Sequence, residues 1–161
     1  MKIVIVDDEP KIRNGLSKLL SSRPGFDITG VFENAMEALE QLSVSYADVI
    51  ITDIKMPEIN GLDLINRIRE KDENTKIIIL SGYSDFSFAQ RAIELGVTRY
   101  LTKPTNAREL IGILEEIEKN IQKPRREEKQ EMKKNKHFMG VDCVAQYRHA
   151  PEIKKSYFYV V

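Results

Sequence analysis

The chain has 161 residues, of which 42% are apolar and 31% are charged, and its formal net charge at pH 7 is zero. This balance is typical of one globular domain of ordinary size with room for an appendage, and no apolar run approaches the roughly 18 residues of a membrane span. Only four consecutive apolar residues precede the aspartates of MKIVIVDDEP, so we expect no signal peptide, no membrane contact and a cytoplasmic location.

Five short runs rich in Ile and Val occur in the first 122 residues. Runs of this kind predict strands that are buried on both faces of a parallel sheet. In chain order they are Ile3–Val6, Ile28–Phe32, Val49–Ile51, Ile77–Leu80 and Tyr100–Leu101.

A helical periodicity follows each of these runs. The five alternating units predict an α/β fold, a doubly wound five-stranded parallel sheet with helices on both sides and right-handed crossovers. Gly96 follows the fourth helical pattern, and glycine at this position commonly ends a helix. The predicted apolar faces are Ile12, Leu16, Leu19 and Leu20; Ala35, Ala38, Leu39 and Leu42; Gly61, Leu64, Ile65 and Ile68; Ala89, Ala92 and Ile93; and Leu110, Ile113, Leu114, Ile117 and Ile121.

Charge divides the chain into two unlike parts. Residues 1–122 carry 15 Lys and Arg against 20 Asp and Glu, a net of −5, whereas residues 123–161 carry 10 against 5, a net of +5. We therefore predict a domain over residues 1–122, a charged linker over 123–136 and a tail of unassigned structure over 137–161. The single Cys143 excludes an internal disulfide and is read as an inert thiol.

Ligands of open parallel sheets bind outside the carboxyl ends of the strands. Asp7, Asp8 and Glu9 follow the first predicted strand, and Asp53 follows the third. Ser81 follows the fourth strand, and Lys103 follows the fifth. Crowded carboxylates stay ionised only beside positive charge, which Lys103 and a hard divalent cation such as Mg²⁺ could supply. Acids in a helix's first turn are common without a ligand, but that does not account for Asp53 and Lys103.

The same residues discriminate between the chemistries that use this fold. A dinucleotide or flavin site needs a turn after strand one that accepts phosphate, and the acidic turn Asp7–Pro10 would repel it. A phosphohydrolase with an aspartyl nucleophile commonly carries a second acid two residues on, where this chain has Lys55. The chemistry that remains is that of a carboxylate which receives a phosphoryl group beside Mg²⁺.

Four motifs together resemble the receiver domain of two-component response regulators. They lie in the family's order and spacing across residues 1–122, and the family implies the strand order 2-1-3-4-5. The motifs are Val6-Asp7-Asp8-Glu9-Pro10, Thr52-Asp53-Ile54-Lys55-Met56-Pro57 with Asn60-Gly61, Leu80-Ser81-Gly82-Tyr83, and Tyr100-Leu101-Thr102-Lys103-Pro104.

The resemblance implies a phosphoacceptor and a Mg²⁺ site. Asp53 would take a phosphoryl group from a phosphohistidine on a sensor histidine kinase or phosphotransfer protein. Asp8, Asp53 and the backbone carbonyl of Lys55 would hold Mg²⁺ directly, and Asp7 would hold it through a water. Such a domain signals and catalyses only its own phosphorylation and dephosphorylation.

The resemblance also implies a switch. Lys103, held by a cis Lys103–Pro104 peptide, and the hydroxyl of Ser81 would bind the phosphoryl oxygens. Tyr100 would then turn inward and reshape the face of helix four, strand five and helix five, through which the chain could form a homodimer. Lys55 and Tyr83 would tune the lifetime of the acyl phosphate, and we expect slow autodephosphorylation.

The stretch from Leu80 to Pro104 resembles receivers of AraC-type, YesN-like transcription regulators. Their DNA-binding output domain needs on the order of 100 residues. Only 39 residues follow Gln122, and we expect that domain to be absent. Three interpretations stay open: a stand-alone receiver, a truncated DNA-binding regulator, or a receiver whose tail itself binds something. DNA is a partner only if an output domain exists elsewhere.

Overall fold

The computed structural model describes residues 1–82 and 86–122. Strands and helices alternate along this part of the chain, as the apolar periodicity predicts. The elements are β1 (Lys2–Val6), α1 (Pro10–Ser21), β2 (Asp27–Phe32), α2 (Ala35–Val44), β3 (Val49–Thr52), α3 (Gly61–Arg69), β4 (Lys76–Ser81), α4 (Phe86–Glu94), β5 (Arg99–Thr102) and α5 (residues 107–122).

The five strands form one parallel sheet in the order β2-β1-β3-β4-β5, which confirms the predicted fold. Each strand contains its predicted apolar run and extends it by one or two residues. The central strands β1, β3 and β4 are buried almost throughout, whereas the edge strands β2 and β5 are partly exposed. Because all strands run the same way, their carboxyl ends meet at one rim of the sheet.

Alternate strand positions form cores on the two faces of the sheet. On one face, Val4, Ile50 and Ile77 pack with apolar residues of α2, α3 and α4. The intervening positions, such as Ile5 and Ile78, are also buried. A rigid sheet therefore fixes the rim where the predicted site lies.

The predicted apolar face of α4 is wrong at one position. Ala92 is buried as expected, but Ile93 is 78% exposed. Phe88 packs against the core instead. Three apolar positions define the rotation of a helix poorly, and the larger aromatic side chain at position 88 buries more surface. At its carboxyl end, Gly96 adopts φ +65°, the left-handed conformation that ends the helix as predicted.

The first compact unit of the chain comprises Met1–Glu118, and the second comprises Lys119–Val161. Of the second unit, only residues 119–122 are described, as part of α5. The predicted linker (123–136) and tail (137–161), with Cys143, lie outside the described residues. Within the described part of the chain, every helix is too short or too polar to cross a bilayer.

Gly61 allows the start of α3 to approach the backbone that carries the predicted phosphoacceptor. Its amide donates to the carbonyl oxygen of Ile54 at 2.8 Å. A Cβ atom at position 61 would lie 2.0 Å from the carbonyl oxygen of Asp53 and 3.0 Å from the Cα of Ile54. The loop after β3 is therefore held against α3 at a distance that only glycine permits.

Gly61→Ala is expected to lower the free energy of unfolding by about 2–3 kcal/mol, because the contact is with backbone that cannot rotate away. Chemical denaturation measures this change. Gly15→Ala is the matched control, since a Cβ there meets nothing within 4 Å and α1 gains helix propensity. Equal stabilities for the two variants would contradict the close approach.

Candidate functional site

Two buried aspartates end neighbouring strands at the carboxyl rim. Asp7 follows β1 and is 1% exposed, and Asp53 follows β3 and is 7% exposed. The two strands are paired directly up to Val6 and Thr52. Backbone amides orient the carboxylates: Ile54 donates to Oδ1 of Asp53 at 2.5 Å, and Glu9 donates to Oδ1 of Asp7 at 2.9 Å. The second oxygen of each carboxylate remains for other partners.

Lys103, one residue beyond β5, provides those second oxygens with a shared partner. Its Nζ donates to Oδ2 of Asp53 at 2.7 Å and to Oδ2 of Asp7 at 2.8 Å. It also donates to Oε1 of Glu9 at 3.2 Å. An ammonium group has three donors, so carboxylates take all of them. The structure thus joins residues from the ends of three strands, as the sequence predicts for this rim.

Burial and charge act in opposite directions on this cluster. Burial raises the pKa of Asp7, and hydrogen bonds from Lys103 and the Glu9 amide offset only part of that rise. Burial alone would lower the pKa of Lys103, but its bonds to Asp53 and Asp7 outweigh it and raise that pKa above its ordinary value. The ammonium group therefore stays charged at neutral pH, while the ionised Asp7 keeps the part of its desolvation cost that its hydrogen bonds do not offset.

Asp8 completes a group of three carboxylates that could hold a metal ion. One oxygen each from Asp7, Asp8 and Asp53 lies within 4.8 Å of the others. Asp8 is exposed, whereas the other two are buried, so the group opens to solvent on one side. An all-carboxylate donor set with room for water fits a hard divalent cation.

The structure describes the positions of the other predicted site residues, with the exception of Tyr83. Ser81 is fully buried at the end of β4, and its carbonyl oxygen accepts from the Lys103 amide at 2.7 Å. Tyr100 lies on β5 and packs partly buried against the core. Lys55 is exposed two residues after Asp53. The Lys103–Pro104 peptide is cis. Tyr83 lies outside the described residues.

Sequence reasoning assigned no role to two side chains that contact this cluster. Glu9 binds Lys103, as described above. Arg13, on α1, donates from Nη1 to the carbonyl oxygen of Asp7 at 2.6 Å, and its Nη2 lies 3.6 Å from Oε2 of Glu33. Arg13 thus anchors the turn that presents the first two aspartates. No local pattern marks either contact, because each depends on how α1 leaves the sheet.

Asp7→Asn is expected to raise the free energy of unfolding in metal-free buffer at neutral pH, by on the order of 1 kcal/mol. Because the pKa of Asp7 is raised in the fold, its ionisation costs stability in full above that raised pKa, and the cost disappears as pH falls from there to the ordinary value of 3.8. The gain from the asparagine should therefore vanish in acid. Urea denaturation at several pH values measures it, and a loss of stability at neutral pH would contradict the argument.

Comparison with known sequences shows the family to which this chain belongs. The sequence profile of the response regulator receiver domain matches residues 3–115. The chain is 36% identical over 117 residues to YesN of Bacillus subtilis, an uncharacterized transcriptional regulatory protein. This match covers 72% of this chain and 32% of YesN. It is 39% identical over 114 residues to the transcriptional regulatory protein HptR of Staphylococcus aureus, covering 70% of this chain and 44% of HptR. The chain thus spans half or less of the length of these relatives.

Solved structures agree with the profile. The receiver domain of AraT, a response regulator from Geobacillus stearothermophilus, is 34% identical with a TM-score of 0.68, covering 77% of this chain and 97% of that domain. The response regulatory domain of mrkE from Klebsiella pneumoniae is 26% identical with a TM-score of 0.71, covering 76% and 99%. Residues 3–115 therefore form a response regulator receiver domain, and the chain belongs to that family.

Proposed function

We propose that Asp53 is the phosphoacceptor of this receiver domain and that the chain relays a signal from a sensor histidine kinase or a phosphotransfer protein. The observation that carries the proposal is the ammonium group of Lys103, 2.7 Å from Oδ2 of Asp53. This contact places a fixed positive charge beside the oxygen that would receive the phosphoryl group. In this proposal the receiver domain is a signalling domain, and the reactions it catalyses are its own phosphorylation and dephosphorylation.

The transfer needs one bond to form and one to break. An oxygen of the Asp53 carboxylate forms a bond to phosphorus as the phosphorus–nitrogen bond of a phosphohistidine breaks. The electron pair of that bond stays on the imidazole nitrogen. Phosphoryl transfer depends mainly on alignment and on positive charge around the phosphoryl oxygens. Lys103 supplies a fixed charge, and the amide of Ile54 holds the Asp53 carboxylate in one orientation.

The carboxylate group at the rim would hold Mg²⁺. We assign Asp8, Asp53 and the backbone carbonyl of Lys55 as direct ligands and Asp7 as a ligand through water. When bound, Mg²⁺ supplies the second positive charge that an incoming phosphoryl group needs. The three carboxylates within 4.8 Å of one another support this assignment.

Phosphorylation would change the conformation of residues on β4 and β5. Ser81 ends β4, beside both β3 and β5, where its hydroxyl could turn toward a phosphoryl group on Asp53. Tyr100 lies on the neighbouring strand β5, and its side chain would then turn toward the interior. This movement would change the face formed by α4, β5 and α5. On α4, the side chains of Phe86 and Ile93 are 80% and 78% exposed. We assign this face as the output and possible homodimer surface.

The test is incubation of the chain with acetyl phosphate in MgCl₂, followed by intact-mass measurement. We expect the mass of one phosphoryl group to be added, and tandem mass spectrometry should locate it at Asp53. Prior chelation of divalent cations should prevent the addition. Full uptake under chelation would overturn the assigned role of Mg²⁺, and no uptake under any condition would overturn the phosphoacceptor itself.

The second candidate function is that of a truncated DNA-binding transcription regulator that lacks its helix-turn-helix output domain. The relatives YesN and HptR are transcriptional regulatory proteins, and the chain matches less than half of each. These matches favour a transcription regulator. The stretch from Leu80 to Pro104 resembles receivers of AraC-type regulators, so the absent DNA-binding part would be an output domain of that type. A DNA mobility-shift assay of residues 1–161, with and without acetyl phosphate, distinguishes an interaction module from a DNA-binding regulator. Binding by this chain alone would assign DNA contact to it, and no binding would leave the receiver as an interaction module.

A further inference from the structure

We propose that Glu9 holds Lys103 in the unphosphorylated state and competes with the phosphoryl group for it. This inference rests on the proposed phosphoacceptor role of Asp53. It assigns to Glu9 a positioning role, because Glu9 acts on the reacting centre only through Lys103. The contact of Glu9 Oε1 with Lys103 Nζ at 3.2 Å carries the argument.

The Glu9 side chain does not take the usual role of a residue at the start of a helix. Glu9 is the N-cap residue of α1, yet its side chain makes no capping hydrogen bond. Asn34 and Asn60, the N-cap residues of α2 and α3, both accept from a backbone amide of their helix. The Glu9 carboxylate instead reaches a lysine 94 residues away in the chain.

Lys103 already uses all three of its hydrogen-bond donors. All three protons of the ammonium group are directed to carboxylates, on Asp53, Asp7 and Glu9. Once Asp53 carries the phosphoryl group, one phosphoryl oxygen can take the proton that Oδ2 of Asp53 accepts now. A second phosphoryl oxygen that binds Lys103 must replace Asp7 or Glu9. The Asp7 and Asp53 side chains are 2% and 10% exposed and lie at 2.8 and 2.7 Å. The Glu9 side chain is 59% exposed and has the longest contact.

Glu9 is therefore the acceptor that is released at least cost. Its carboxylate regains water when it leaves, whereas Asp7 would be left buried without its cation. Until it leaves, the negative charge of Glu9 lies beside the site and repels an incoming phosphoryl group. Its carboxylate also accepts the Lys103 proton that a phosphoryl oxygen would accept. Removal of this charge should shift the equilibrium toward the occupied site.

The test uses beryllofluoride, a tetrahedral non-covalent stand-in for a phosphoryl group, in saturating MgCl₂. Glu9→Gln keeps the size of the side chain and removes its charge. We expect it to bind beryllofluoride about two- to fivefold more tightly than the native chain, the range expected for an exposed ion pair. The ¹⁹F NMR signals of bound and free beryllofluoride give the dissociation constants. High salt should remove most of the difference, because it screens exposed charges.

Glu73→Gln is the matched control, since it removes one exposed negative charge beside β4 at the opposite rim. If Glu9→Gln and Glu73→Gln bind beryllofluoride equally tightly while the native chain binds it normally, the inference about Glu9 fails and the phosphoacceptor site stands. A difference that persists in high salt would also overturn the competition. If the native chain binds no beryllofluoride and takes up no phosphate, the proposed function fails, and the role of Glu9 fails with it.

Discussion

Asp53→Asn is expected to reduce phosphoryl uptake from acetyl phosphate by at least about a hundredfold, because the variant lacks the carboxylate oxygen that forms the new bond. Intact mass over time measures the uptake. The asparagine can still accept from the Ile54 amide through its carbonyl oxygen, so the loop after β3 keeps its anchor. The loss should therefore be chemical and not a consequence of unfolding.

Asp27→Asn is the control for this prediction. Asp27 is an exposed carboxylate at the start of β2, at the opposite end of the sheet from Asp53. The control makes the same substitution and should take up phosphate at the native rate. Thermal unfolding of both variants checks that each is folded. Native-rate uptake by Asp53→Asn would show that another side chain is the acceptor.

The phosphoryl group on Asp53 would change the charge balance that the structure shows. Lys103 shares its single positive charge between two buried carboxylates, Asp53 and Asp7, at nearly equal distances. A phosphoryl group adds negative charge at one of the two, so the demand for cations at the rim rises. This is why the proposed site needs both a fixed lysine and a divalent cation.

Local sequence patterns were sufficient to predict the sheet and the acidic rim. Apolar runs such as Ile77–Leu80 have strand length and are bounded by turns, so their burial follows from composition alone. The residue after each run then lies at the carboxyl end of a strand. Asp7, Asp53 and Lys103 could be brought together in this way because parallel strands end at one rim.

Contacts that depend on side-chain reach could not be predicted. Glu9 and Lys103 are 94 residues apart, and the contact requires the register of β5 and the exit angle of α1 together. Arg13 donates to the backbone carbonyl oxygen of Asp7. Because every residue has a backbone carbonyl, the sequence does not indicate which one Arg13 binds. The rotation of α4 was mispredicted for Ile93 because too few apolar positions defined it.

Lys103→Met is expected to lower the free energy of unfolding in metal-free buffer by about 2–4 kcal/mol, since it leaves two buried carboxylates without their cation. Because the pKa of Lys103 is raised in the fold, its ammonium group stabilises the fold fully below the ordinary value of 10.5. That contribution is lost only as pH rises through the higher pKa of the folded state. Neutral pH therefore reports the whole effect in a urea titration.

Added Mg²⁺ should stabilise Lys103→Met more than it stabilises the native chain. A divalent cation bound to the folded state alone adds stability in proportion to its affinity, and the uncompensated carboxylates should bind it more tightly. Lys18→Met is the control, because Lys18 is exposed on α1. It should match the native chain with and without metal. An equal gain from Mg²⁺ in all three proteins would mean that Lys103 and the metal do not share the carboxylates of Asp7 and Asp53.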